Sequence, residues 1–321
     1  MDTPPEFNEF FGSMIAMDDP RHARLRRIVS AGFTPRTLKR LEDSVQNVAK
    51  DIIAGIAHKG KVDFVVEVAA ALPLKIVCDL MGIPDDKFEF VFDRTNKILG
   101  AGDTEYMPEG SDVLTELLVA GGELAALMDE VAEAKRGGDG TDLTSLLVNA
   151  ELEDDKLSSG DLASFFILLV VAGNETTRNA ISWGLKFLTD NPDQRDLWLS
   201  DFDAYAAGAV EEIVRLASPV TYMRRTALED TELGGTKIAK GDKLCMFYLA
   251  ANRDEDEFEN PFDFDIKRVD NNHVGFGAPG PHFCLGAHLA RREIIVMFKE
   301  LFTQLPDIRV TGEPDLLAAS F

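Results

Sequence analysis

The sequence is poor in cysteine. Its three residues, Cys78, Cys245 and Cys284, are odd in number and far apart in 321 positions. Neither a disulfide framework nor a CxxC metal pair can be built from that spacing, and a reducing compartment suits it. Long hydrophobic runs are missing too: the longest, Phe165 to Ala172, is far too short to span a bilayer. The opening MDTPPEFNEF lacks the basic, apolar and cleavage regions of a signal peptide. Positive charge is scarce, with 33 Lys and Arg against 56 Asp and Glu and a formal net charge of −23. That balance argues against nucleic acid or an anionic membrane as the main partner. No internal repeat, low-complexity tract or linker is visible, and no GxGxxG follows a strand pattern. These absences predict a cytoplasmic protein with one domain over residues 1–321, no integral membrane segment, and no flavin or nicotinamide site of its own.

What is there suffices for a large core: 45% of the residues are hydrophobic and 28% charged, ordinary for a globular chain. From Asp19-Pro20 to about Gly140 the pattern is helical. It breaks at Gly32–Pro35, Lys59–Lys61, Gly82–Pro84, Gly100–Gly110 and Gly137–Gly140. A longer helix opens at Ser158, where Ser158 and Asp161 have capping-box spacing, and runs to Thr189. Another covers Asp203 to Leu216. After Pro219 short alternating runs and a Gly234-Gly235 turn read as small strands. An irregular acidic stretch from Glu255 to Arg268, a glycine- and proline-rich loop, and a last helix to Gln304 follow. The tail after it starts another turn or strand. The fold class is mainly α with small β-sheets (α+β).

The loop GFGAPGPHFCLGAHLARREI, Gly275 to Ile294, holds one cysteine in stiff surroundings. Gly275, Gly277 and Gly280 permit turns and close approaches that a Cβ would block, while Pro279 and Pro281 remove amide donors. Cys284 stands at the mouth of a helix containing Leu285 to Glu293, where free amides and the helix dipole favour a thiolate. Gly286 leaves room for something flat. Several chemistries fit this stretch: a buried structural cysteine, a zinc site from His282, Cys284 and His288, a nucleophile with His282 as base, or a haem thiolate, which needs a single cysteine.

Phe276, Gly277, Gly280, His282, Cys284, Gly286 and Leu289-Ala290-Arg291 resemble the haem-binding signature of the cytochrome P-450 family. Phe276 lies eight positions before Cys284 rather than the usual seven. That longer loop resembles a bacterial branch associated with sterol side chains and methyl-branched lipids.

Three more constellations acquire meaning beside that resemblance. In LLVVAGNETTRNAISWGL, Ala172 and Gly173 open a groove in an apolar helix, followed by an acid and a hydroxyl; alone, this reads as a packed helix with one polar turn. The resemblance makes the groove at Ala172 a place for dioxygen, with Glu175 and Thr176 delivering protons. In EEIVR, Glu212 and Arg215 have the i,i+3 spacing of a helix ion pair, which alone reads as an ordinary surface pair. By resemblance they form a structural triad with Arg268. In DDPRHARLRR, His22 and Arg26 lie at i,i+4 on a helix that Asp18 or Asp19 can cap, which alone reads as a solvated basic face. By resemblance they join Arg225 and His282 as a clamp for haem propionates.

The resemblance further implies the cytochrome P-450 fold, with the early helices and sheet and the final hairpin missing from this sequence. It implies haem b as cofactor, Cys284 as the iron's axial ligand, and Phe276, Gly277 and Gly286 framing the cofactor. The implied reaction inserts one oxygen atom from O2 into an apolar small molecule: a steroid, a terpenoid or a branched lipid. Electrons would come from a ferredoxin and its reductase, docking at Arg24, Arg27, Arg291 and Arg292. Residues Ile98–Met107 and Ala217–Met223 are candidates to touch substrate. The alternatives are a haem-thiolate peroxygenase or isomerase, a non-catalytic haem-binding protein, and a haem-free cysteine hydrolase.

Overall fold

The computed structural model describes residues 13–101, 103, 106–107, 110–149 and 157–316. Helix α1 (Arg21–Val29) begins beside Asp19, whose Oδ1 accepts from the Ala23 amide at 3.0 Å and so satisfies one free helix-start donor. Thr34 caps α2 (Pro35–Ile56) by accepting from the Thr37 amide, and the proline at the first position has no N–H to satisfy. A π-helical turn (Val65–Ala69) precedes α3 (Ala71–Met81), which ends at left-handed Gly82. Then come α4 (Phe88–Leu99), α5 (Val113–Lys135) and α6 (Leu143–Val148). Helix α7 (Ser159–Asp190) starts with both halves of the Ser158–Asp161 capping box in place. Helices α8 (Pro192–Ser200) and α9 (Phe202–Ala217) follow at once.

The strands are short. β1 (Tyr222–Thr226) pairs antiparallel with β4 (Lys243–Phe247), setting Tyr222 opposite Phe247 and Thr226 opposite Lys243. Between them β2 (Thr231–Leu233) and β3 (Thr236–Ile238) form a hairpin closed by Gly234 and Gly235. Both glycines have positive φ, 56° and 77°, as a two-residue turn matching the strand twist requires. After α10 (Tyr248–Ala251) the chain is irregular until α11 (Ala287–Gln304). The result is mainly helical with two small antiparallel sheets, as anticipated. One detail differs: helix α11 starts at Ala287 behind Gly286, so Leu285 is not helical. The tail after α11 takes a turn at 306–307.

Helix α7 organises the interior because it is apolar at both ends. Its first half, including Phe166, Ile167 and Val170, packs into a cluster with α3, α4 and α5. Its second half, including Ala180, Ile181 and Leu188, belongs to a cluster with α2, α9 and α11. Trp198 anchors the second cluster: fully out of water, it stacks on Phe202 and meets Phe298 and Phe302. Its indole N–H donates to the Phe202 carbonyl, so burial leaves no donor unpaired. Between the two clusters lies the Ala172–Thr177 turn, whose small and polar side chains leave space on either side. Among the described residues no helix is long and apolar enough to cross a membrane.

Candidate active site

A cleft opens where α1, the middle of α7, β1 and the loop before α11 converge. The loop is held in shape by its own backbone. Gly277, at φ +85°, donates to the Val274 carbonyl at 2.8 Å, and the Cys284 amide donates to Phe276 at 2.9 Å. Positive φ at Gly277 is the conformation that favours glycine. Gly275 is pinned for another reason: a Cβ there would meet Val214 Cγ1 at 2.6 Å. The entry to the loop is tied down by Asn252, which accepts from the Val274 amide and donates to Ser218 Oγ.

Cys284, Phe276, Gly277 and Gly286 from this loop border the cleft, as do Ala172 and Thr176 of α7. A Cβ built at Gly286 meets nothing within 4 Å, so open space lies beside the cysteine. Burial raises the Cys284 pKa, and the Gly286 amide, Arg26 and Arg291 act in the opposite sense.

The residues expected to clamp an anion come together. His22 and His282 have ring centroids 4.1 Å apart, and both line the cleft with Arg26 and Arg225. Arg26 also donates to the Phe283 carbonyl at 2.6 Å, which ties α1 to the cysteine loop. Burial, then His22, then Arg225 push His282 below the ordinary histidine pKa. His22 is buried, with its Nδ1 3.5 Å from Asp19 Oδ1 but not hydrogen-bonded to it. A crowded set of cationic and donor groups fits a carboxylate-bearing group, whose charge would offset theirs. Together with the flat space beside Gly286, these residues fit haem.

The remaining candidates divide. Glu212, Arg215 and Arg268 form the expected triad, and it is buried rather than a surface pair: Arg268 Nε lies 3.1 Å from both Glu212 oxygens. Glu175 does not border the Cys284 cleft. It lies in a second cleft on the other side of α7, engaged by Arg178 and by Asn179 Nδ2 at 2.8 Å. Thr176 borders both clefts and donates to the Ala172 carbonyl at 2.7 Å. Pro219, Val220 and Met223 line the Cys284 cleft, whereas among the described residues of 98–107 none does. Ile98, Leu99 and Met107 are spent in the core instead. Residues 102, 104 and 105 lie outside the described part. Of the supposed docking cations, Arg291 is paired with Glu211. His288 is exposed, and among the described residues no cluster of His, Cys, Asp or Glu is able to hold a bare metal ion.

Two features escaped the sequence reading. Glu293 is a buried acid on the cleft wall, and its position was readable: it stands four residues from both Leu289 and Met297, on the apolar stripe of α11. Glu211 meets His273 and Arg291 across separations that no local spacing reveals.

Comparison with known proteins agrees with this geometry. The chain matches the Cytochrome P450 family over residues 122–196 and 204–305. It is 51% identical over 323 residues to a methyl-branched lipid omega-hydroxylase of Mycobacterium tuberculosis, covering 100% of this chain and 74% of the relative. A steroid C26-monooxygenase of Rhodococcus jostii is 42% identical over 308 residues, covering 96% and 63%. Among solved structures, a Mycobacterium marinum cytochrome P450 in complex with pseudoionone superposes with a TM-score of 0.94 at 45% identity, covering 100% of this chain and 77% of that one. The chain belongs to the cytochrome P450 family: it is a monooxygenase, an oxidoreductase working with haem b, dioxygen, redox partners and an apolar substrate.

Proposed function

We propose that this protein is a single-domain, cytoplasmic hydroxylase of steroids, terpenoids or branched lipids that draws its electrons from a ferredoxin and its reductase. The observation carrying the reading is one cleft bordered by Cys284, with a cationic cluster in its wall and mostly apolar side chains elsewhere. Similarity to a methyl-branched lipid omega-hydroxylase and to steroid C26-monooxygenases supports the substrate class. Cys284 holds the haem iron through its sulfur. His22, Arg26, Arg225 and His282 take the propionates, and Phe276, Gly277, Gly286 and Ala172 shape the space around the ring. Glu212, Arg215 and Arg268 brace the segment that presents the loop.

Bound haem supplies activation of dioxygen at its iron. The chain supplies protons and excludes water. Glu175, in the second cleft, collects a proton, and Thr176, exposed to both clefts, passes it through α7 by rotating its hydroxyl away from Ala172. Leu168, Leu169, Val220 and Met223 keep the Cys284 side dry and orient an apolar substrate by shape. Exposed Arg24, Arg27 and Arg292 serve an acidic ferredoxin, and Arg291 serves the loop.

The haem-loaded protein, reduced and exposed to carbon monoxide, should give the far red-shifted Soret band of thiolate ligation, lost in Cys284→Ser. Titration with a methyl-branched fatty acid and with a steroid should then perturb the Soret band. A wild-type band typical of histidine ligation, or no response to either ligand class, refutes the assignment.

A further inference from the structure

Glu211 stands next to Glu212 on α9 but serves a different part of the molecule. Its Oε2 accepts from Arg291 Nη2 and from His273 Nε2, each at 2.9 Å, and its Oε1 accepts from Arg291 Nε. The other ring nitrogen of His273 accepts from the Gly275 amide at 3.1 Å. With Nδ1 accepting from an amide, Nε2 is the nitrogen that donates to Glu211. Burial opposes ionisation of Glu211, but the Arg291 and His273 hydrogen bonds outweigh it and bring the carboxyl down to about 2. Glu211 is therefore a carboxylate at every working pH.

Its two partners flank the cysteine loop, His273 just before it and Arg291 just after it. The Arg291 guanidinium also lies 4.2 Å over the Phe276 ring, and Phe276 accepts the Cys284 amide. Arg291 Nη1 also reaches the Ala287 carbonyl at 3.4 Å, three residues beyond Cys284, so its charge sits beside both flanks of the cysteine. Glu211 is the countercharge to that arginine. A neutralised pair projects far less field than a lone guanidinium in a partly buried setting.

We propose that Glu211 is a positioning residue for the electrostatics of Cys284: by pairing with Arg291 it cancels a positive charge that would otherwise bear on the sulfur and on the iron it holds. This rests on the reading of Cys284 as the axial ligand. Without the cancellation, the sulfur would donate less electron density to the iron, and the more electron-rich reduced state would be favoured.

The test uses the haem-loaded protein and reads the iron's reduction potential by spectroelectrochemical titration. Glu211→Gln keeps the shape and removes the charge, so the potential should move upward. Glu211→Asp keeps the charge and should restore the wild-type value, which a purely structural role does not predict. Arg291→Gln removes the positive member of the pair instead and should move the potential downward. An unmoved or lowered potential in Glu211→Gln, or an unmoved or raised one in Arg291→Gln, overturns the proposal while a red-shifted carbonyl band in the wild type leaves the Cys284 assignment standing. A wild type without that band overturns the assignment and this inference with it.

Discussion

Arg215 donates two 2.8 Å hydrogen bonds to the Glu212 carboxylate, from Nε and Nη2, with both side chains wholly out of water. Its remaining donors go to the carbonyls of Asn252, Pro261 and Asp263. Glu212 in turn accepts from Arg268, from Asn271 Nδ2 and from the Asp265 amide. Breaking such a pair leaves an uncompensated buried charge, at a cost of about 3–5 kcal/mol. Glu212→Ala should therefore lower the unfolding free energy by that amount, read from a denaturant titration, and impair haem retention, measured as the ratio of Soret to protein absorbance. A stability within about 1 kcal/mol of wild type would make the triad no more than a surface-type pair.

Glu293 supplies a pH dependence. Burial pushes its carboxyl up to about 8, and among the described residues it finds no hydrogen bond or ion pair. From the ordinary carboxylate range up to about pH 8, the unfolded chain gives up this proton and the folded chain keeps it. That difference removes stability as pH rises through the window and levels off above it. Each tenfold change in proton affinity is about 1.4 kcal/mol, so the loss is on the order of a few kcal/mol. Glu293→Gln should melt above wild type at pH 8, with the gap closing toward pH 5. A gap independent of pH excludes this account.

Gly208 allows α9 to touch the irregular segment. A Cβ there would meet the Ile266 carbonyl oxygen at 2.3 Å, and backbone yields less readily than a side-chain tip. Gly208→Ala should cost about 1–3 kcal/mol as an overpacked contact, read as an earlier thermal transition. An unchanged transition would mean that α9 and residues 265–268 separate freely.

Thr176→Val keeps the side chain's bulk and removes the hydroxyl that the proposed proton path needs. Product formation should fall on the order of 10²-fold, with the substrate-induced Soret change intact. Full activity in the valine variant eliminates Thr176 from that path.

How much of this was legible in the sequence depended on how local the cause is. The Ser158–Asp161 cap, the Gly234-Gly235 turn and the cysteine loop depend on neighbours within a few residues, and each was found where spacing put it. The Glu212–Arg215 pair was legible as a pair, yet its burial was not, because burial comes from residues 252 to 271 closing over it. The side of α7 on which Glu175 lies depends on Arg178 and Asn179, one turn away. The amides around Cys284 are displayed by the sequence, whereas its burial comes from the elements that close over the loop. Glu211, His273 and Arg291 meet only because α9 and α11 pack together, information carried by the whole fold.

The Ala172–Thr176 turn of α7 is a party wall. Thr176 borders both the apolar cleft holding Cys284 and the mixed one holding Glu175, Arg178 and Lys186. A Cβ at Gly173 would already press on Val77 at 3.3 Å, so bulk added there to reshape one compartment is transmitted along the helix to the other. On the proposed proton path, a substitution in this turn that reshapes the space beside Cys284 therefore also disturbs the route protons take.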